Sequence, residues 1–367
     1  MDDGARLVYG AFLPAFGLSA ILTPLAGRLA LAVNLVAPVR PDRLHTDERP
    51  YGGGLAIMAT LAVTVGAACL AAPFCIEYDV YQETGYWGTA RMIAACEAPM
   101  LPRLAVGAVL FFMIGMIDDR YALRALPKLF LQFAAAAVVV ATGLSATVWL
   151  MAPGAGEVVS ILWIVAVVNA YNMFDHADGV AGAAGLVALA ALAAGQILMG
   201  QWLVPGIALV AAGALAGFLT GNLPPARLFM GDAGSSLVGY LLAALTILAQ
   251  YYFRDCGTGP WVVLVPLAIL AVPLFDMACV TLGRIWRHEN PFRGDATSHL
   301  AHRMLARGTS PRMVVVFAAA MAATTGAASV IMYHVRGLAF LAAWGIVAAA
   351  LVMMLLARRR PKARAQA

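Results

Sequence analysis

Charge is scarce in this chain of 367 residues. Asp, Glu, Lys and Arg make up 12% of it, against 62% apolar residues. With a mean hydropathy of +0.84, that balance excludes an ordinary soluble globule. Lysine is almost missing: Lys128 and Lys362 are the two, and the other cationic side chains are arginine. Cysteine is sparse, with five residues, no CxxC and no Cys/His spacing of a zinc site. Cys69 and Cys279 fall in or beside apolar stretches and read as packing, whereas Cys75 and Cys96 share the loop 74–103, which leaves a disulfide open there. An internal repeat is lacking, which argues against an inverted-repeat transporter. No stretch is polar enough for a separate soluble domain, so residues 1–367 read as a single integral-membrane domain with a basic tail at 358–367. The start, Met1-Asp2-Asp3-Gly4, has no basic leader region, so the first apolar segment is expected to stay as a span.

What the chain does have is apolar runs of membrane length. They cover roughly 7–33, 54–73, 104–117, 128–143, 158–174, 180–199, 203–221, 234–251, 261–283, 313–333 and 337–357, and at about 20 residues per span they predict an all-α polytopic membrane protein of about 11 helices. Lys and Arg divide unevenly between the two sides. The connections after odd-numbered spans, with the tail, carry eighteen; the other side carries five, and Arg28 lies inside the first span. The N-terminus is therefore expected outside and the C-terminus in the cytoplasm. The net charge of +5 expresses this asymmetry and gives no reason to invoke nucleic acid. The tail Arg358-Arg-Arg-Pro-Lys-Ala-Arg reads as a topological anchor beside anionic lipid.

Polar residues gather in five loops, all on the expected cytoplasmic side. Arg40–Gly54 holds Arg43, His45 and Arg49 ahead of three glycines, which would let backbone amides approach an anion. Asp118-Asp119 end the third span and offer hard oxygens suited to Mg²⁺; Lys128 follows as a compact point charge for phosphate. The stretch Asn169-Ala-Tyr-Asn-Met-Phe-Asp-His-Ala-Asp-Gly179 spaces Asn169, Asn172 and Asp175 three apart, on one face if the helix continues, with Asp178-Gly179 at the break. A carboxylate facing lipid costs about 2.5–3.5 kcal/mol even on the lenient scale, so this one calls for water, a cation or a ligand. Asn222–Ser236 brings Gly231-Asp232-Ala-Gly-Ser to the start of a helix, where amides and hydroxyls favour an anion. Finally, Arg284–Gly308 contains Arg293, His299, His302, Arg303 and Arg307, an anion-binding cluster, with Asp276 about 12 Å deeper along its helix. Carboxylates and cations at span ends suit metal-assisted chemistry on a phosphorylated, partly lipidic substrate. A transporter would place them nearer the bilayer midplane.

In order and spacing these motifs resemble the polyprenyl-phosphate N-acetylhexosamine-1-phosphate transferase family, which includes the phospho-N-acetylmuramoyl-pentapeptide transferases. The matching pieces are Arg43–Gly54, Asp118-Asp119 with Leu123, Lys128 and Gln132, the Asn169/Asn172/Asp175/Asp178-Gly179 pattern, Asn222 with Phe229–Ser235, Pro273–Asp276, and Asn290–Gly308. The resemblance implies transfer of a sugar-1-phosphate from a UDP-N-acetylhexosamine to undecaprenyl phosphate, with release of UMP, at the cytoplasmic face of a bacterial inner membrane. It implies Mg²⁺ (or Mn²⁺) held by Asp232 and Asn172. Asp118, Asp119, Asp175 and Asp178 are then the catalytic carboxylates, and Arg43, His45, Lys128, Asn169, Arg293, His299, His302 and Arg303 the substrate contacts. A homodimer is left open.

Two departures stand out. His176 replaces a glycine of the family's Asp-Gly-x-Asp-Gly, and Ala301 replaces a histidine of its His-x-His-His. Asn290-Pro-Phe and His299-Leu-Ala-His302-Arg-Met-Leu resemble the N-acetylglucosamine branch more than the muramoyl-pentapeptide branch, which is the alternative. A lipid-linked substrate transporter and an inactive scaffold are the rivals of another class.

Overall fold

The computed structural model describes residues 8–37, 49–82, 100–146, 154–249, 251, 260–290 and 298–358, with side chains from residue 10 onward and none for 71–82 or 260. Arg43, His45, Arg293 and Cys96 lie outside the described residues, as does the side chain of Cys75, and with them the disulfide left open between Cys75 and Cys96. Among the described residues the fold is all-α apart from one two-residue antiparallel pair, β1 (Val36–Ala37) with β2 (Arg49–Pro50), and an isolated bridge between Tyr51 and Phe229. A π-helical turn, Val8–Phe12, leads into α1 (Leu13–Ala32). Then follow α2 (Gly53–Gln82), α3 (Met100–Tyr121), α4 (Ala125–Ala141), α5 (Ala155–Phe174), α6 (Val180–Leu198), α7 (Leu203–Asn222) and α8 (Gly231–Leu248). After a 3₁₀ turn come α9 (Val265–Ile269), α10 (Ala271–Trp286), α11 (Leu300–Ala306), α12 (Pro311–Met332) and α13 (Leu338–Ala357).

Among the described residues nine helices are long and apolar enough to cross a membrane, α4 is a shorter apolar helix, and a bent pair can supply one more span. Each of the apolar runs therefore has its helix. The run 261–283 corrects the expectation of a straight span: it breaks at Leu270, and α10 leaves at 76° to the segment before it. Pro273 follows the break by three residues and lacks the N–H that would bond the Ile269 carbonyl if the helix ran straight through.

The packing centre is α8, fifteen of whose eighteen residues are buried. Small residues let its neighbours close on it, as expected for helices packed in an apolar medium. A Cβ on Gly107 of α3 would fall 2.1 Å from the Tyr240 ring, and one on Gly239 of α8 would fall 2.8 Å from the Val168 backbone of α5. Tyr240 stacks on Phe111 with ring centroids 5.1 Å apart and donates its hydroxyl to the Leu104 carbonyl. These contacts lock α3, α5 and α8 side by side. The end of α3, the end of α5 and the start of α8 therefore share one face of the bundle, which is where the polar loops are.

Candidate active site

Asp118 and Asp119 close the last turn of α3, and their side chains go separate ways. Asp118 accepts the Leu123 N–H at 2.7 Å, pinning a turn in which Ala122 adopts a positive φ of 49°. An alanine pays for that conformation in steric strain, and the carboxylate bond helps hold it. The turn starts α4 so that Lys128 points back at α3. Its ammonium lies 2.5 Å from Asp118, 3.2 Å from Asp232 and 3.0 Å from the Asn172 amide oxygen. The Asn172 amide nitrogen donates to Asp232 and to the Ser235 hydroxyl, the latter at 3.1 Å. Four residues far apart in sequence thus converge on one point.

Asp119 spends both carboxylate oxygens on the start of α8, accepting the N–H groups of Asp232 at 2.7 Å and Ala233 at 3.0 Å. A carboxylate at a helix N-terminus satisfies orphan donors and faces the positive end of the dipole. Gly231, with φ +72°, makes this possible, because a Cβ there would sit 2.6 Å from Asp119. These amides were expected to receive an anion, and Asp119 takes that place. The glycines at 52–54 also differ from expectation. The Gly53 and Gly54 amides donate to the carbonyls of Phe229 and Met230, both at 3.0 Å. A Cβ on Gly54 would meet the Gly234 nitrogen at 2.5 Å. They are glycine because α2 presses against the 229–234 backbone.

The α5 helix stops at Phe174, so Asn169 and Asn172 share a face while Asp175 caps the end, its N–H donating to Tyr171. Asn169 turns its amide to Gln132 at 2.7 Å and to its own helix at Val165. Asp178 accepts the Ala226 N–H at 3.0 Å, and the Gly179 N–H donates to Asn222, whose amide in turn donates to the Leu228 carbonyl. The loops 175–179 and 222–230 are tied together by these bonds.

A second cluster forms where α10, α11 and α13 meet. Asp276, 1% exposed, lies 2.7 Å from His299 Nδ1, accepts the Leu300 N–H at 3.0 Å, and pairs with Arg358. Arg358 also donates to the Ser298 carbonyl at 2.8 Å. Its own carbonyl accepts from Arg303 at 3.2 Å, and Arg307 donates to the carbonyls of Leu356 and Ala357. The sequence reading put Arg358 with the topological anchor; it is a buried member of this cluster. His302 Nε2 donates to the His176 carbonyl at 3.2 Å, and the His176 ring lies 4.1 Å from that of His299.

The expected divalent cation can be tested against these donors. Asp118, Asp232 and the Asn172 oxygen are hard ligands already gathered around one positive charge. Mg²⁺ takes one or two carboxylates and fills its remaining positions with water and phosphate, so the set fits. Among the described residues no three His, Cys, Asp or Glu side chains form a metal cage.

Comparison with known proteins places these residues in a wider context. Residues 101–250 match the model described as glycosyl transferase family 4. The chain is 30% identical over 329 residues to the probable undecaprenyl-phosphate N-acetylglucosaminyl 1-phosphate transferase of Bacillus subtilis (strain 168), covering 86% of this chain and 82% of that protein. It is 32% identical over 369 residues to the decaprenyl-phosphate N-acetylglucosaminephosphotransferase of Mycobacterium leprae (strain TN), covering 92% and 87% respectively. A shorter match, 35% over 111 residues, falls on the undecaprenyl-phosphate alpha-N-acetylglucosaminyl 1-phosphate transferase of Pasteurella multocida (strain Pm70), 29% of each chain.

Proposed function

The chain belongs to glycosyl transferase family 4, and from that membership we propose that it moves N-acetylglucosamine-1-phosphate from UDP-N-acetylglucosamine to a polyprenyl phosphate, releasing UMP. The observation that carries the reading is the convergence of Asp118, Lys128, Asn172 and Asp232 at the ends of two apolar helices and the starts of two others. That is where a lipid-anchored phosphate and a water-soluble nucleotide can meet. The excess of Lys and Arg in the connections after odd-numbered spans supports a site on the cytoplasmic side of a bacterial cytoplasmic membrane.

A non-bridging oxygen of the lipid phosphate attacks the sugar-bearing phosphorus. The bond from that phosphorus to the bridging oxygen breaks, and UMP leaves with the electron pair. The nucleophile needs no base, because a phosphate monoester has a second pKa of about 6 and is mostly dianionic at neutral pH. The geometry supports this economy: Asp118 is engaged with Lys128 and Leu123, and Asp119 with two amides. The residues hold charges in place. Lys128 brings a cation beside the reacting phosphates, Asp119 fixes the turn that carries Asp232, and Asp178 with Asn222 holds the loop facing it. Asp232, Asn172 and Asp118 would hold Mg²⁺, which when bound neutralises charge on the transferred phosphoryl group.

UMP release by the detergent-solubilised protein tests the reading, with undecaprenyl phosphate, Mg²⁺ and UDP-N-acetylglucosamine. Release that needs lipid and metal, and that Asp232→Asn abolishes, is expected. Metal-independent movement of a lipid-linked substrate with no UMP would overturn it in favour of a transporter.

A further inference from the structure

His299 is one of the histidines that the sequence pattern points to as substrate contacts, yet it is 3% exposed. One edge of its ring is held by Asp276, itself compensated by Arg358, and the ring of His176 lies against it at 4.1 Å and 55°. His176 is more exposed than the ring it covers. His176 and His302 are both half-buried, their ring centroids 6.5 Å apart, and the His302 Nε2–H donates to the His176 carbonyl. That bond ties the 175–179 loop to α11. The loop is itself fixed by Asp178 to Ala226 and by Gly179 to Asn222. His176 stands two residues beyond the end of α5, the helix whose last turns carry Asn172.

We propose that His176 is a binding residue for the diphosphate of the nucleotide-sugar donor, acting with His302, and that His299 is a positioning residue supporting it from behind. The inference rests on the donor reading above. A glycine at 176 would leave the same loop without an imidazole, and Ala301 cannot supply one from α11. The third imidazole of the cluster therefore comes from the neighbouring loop. A ring N–H aimed at a diphosphate oxygen forms a charge-assisted hydrogen bond, the strong kind, whereas nothing in this placement favours contact with the lipid tail.

The test is calorimetric binding of UDP-N-acetylglucosamine and of UDP to the full chain in detergent, alongside UMP-release kinetics. His176→Gly is expected to weaken both ligands about tenfold and raise the donor KM by a similar factor, leaving the KM for polyprenyl phosphate within about twofold. His176→Gln, which keeps an N–H donor, is expected to recover most of the affinity. Donor binding by His176→Gly within twofold of the wild type overturns the inference. So does an equal loss of donor and lipid affinity in both variants, which marks a merely structural ring. A wild type that binds the donor but releases no UMP defeats the proposed activity, while the binding series still decides the role of His176. A wild type that neither binds the donor nor turns it over defeats both.

Discussion

Asp119 holds Asp232 through the backbone: its carboxylate takes the Asp232 N–H at 2.7 Å and the next N–H at 3.0 Å. The two residues are 113 apart in sequence, and the bond sets where the Asp232 side chain begins. Asp119→Ala removes a cap on a buried helix start, which costs about 0.5–2 kcal/mol. It should lower the unfolding temperature and turnover together. Asp232→Asn, in a half-exposed side chain, should abolish turnover with little change in unfolding temperature. Thermal unfolding read beside UMP release separates the two. An Asp119→Ala variant as stable as the wild type but inactive would instead make Asp119 a direct participant.

Lys128 occupies the point on which Asp118, Asp232 and Asn172 converge. Removing its charge leaves two carboxylates facing each other, so a divalent cation should bind more tightly. Lys128→Gln is expected to bind Mn²⁺ on the order of tenfold tighter by electron paramagnetic titration. Turnover should fall at least about a hundredfold, since a charge beside the transferred phosphate is lost. Weaker Mn²⁺ binding would show that the lysine organises the oxygens instead of competing for them.

Two glycines on α3 distinguish side-chain from backbone contact. At Gly107 an added methyl meets the Tyr240 ring, and at Gly115 it meets the Asp232 carbonyl at 2.3 Å and the Ala233 backbone at 2.4 Å. Gly107→Ala should destabilise by about 1–3 kcal/mol and be partly rescued by Tyr240→Leu. Gly115→Ala should displace the Asp118–Asp119 turn and abolish activity, with no rescue from Tyr240→Leu. Activity of the four variants, with unfolding temperatures, gives the answer. Rescue of both would mean that α3 shifts as a whole.

Arg358 pairs with an Asp276 that is almost wholly buried. Losing one partner of such a pair costs about 3–5 kcal/mol, because the other charge stays behind. Arg358→Ala should therefore lower the unfolding temperature strongly, and Asp276→Asn in the same chain should restore part of the loss. Arg358→Lys, without the planar fork that reaches Ser298 as well, should fall between. If Arg358→Ala unfolds at the wild-type temperature, the pair is not structural.

Hydropathy located the apolar segments because burial in lipid needs length and composition alone. Charge counting set the polar connections on one side of the chain's spans, and in the structure Asp118, Asp175, Asp178 and Asp232 all lie at or beside helix termini. Lys128 stood out through rarity, and the structure puts it at the centre. The break at Leu270 escaped because a window average is blind to a bend within an apolar run. Arg358 escaped because an arginine beside a basic tail carries no local mark of burial; its partner lies 82 residues earlier. Asp119 and the glycines at 52–54 escaped for a related reason: a carboxylate looks the same whether it meets a metal or another helix's amides. The signal for His176 was present as a departure from pattern, but only the fold shows that its ring rests on His299.

The Arg358–Asp276 pair also sets an order of events during synthesis. When α10 enters the membrane, the partner of its carboxylate has not yet been translated, and 82 residues separate the two. The ribosome must finish α11, α12 and α13 before Asp276 gains its guanidinium partner. A nascent chain stalled before α13 can therefore hold the Lys128 cluster and the His299–Asp276 contact, but not the Asp276–Arg358 pair. Biogenesis factors would meet a buried carboxylate still lacking its arginine until the last helix is in place.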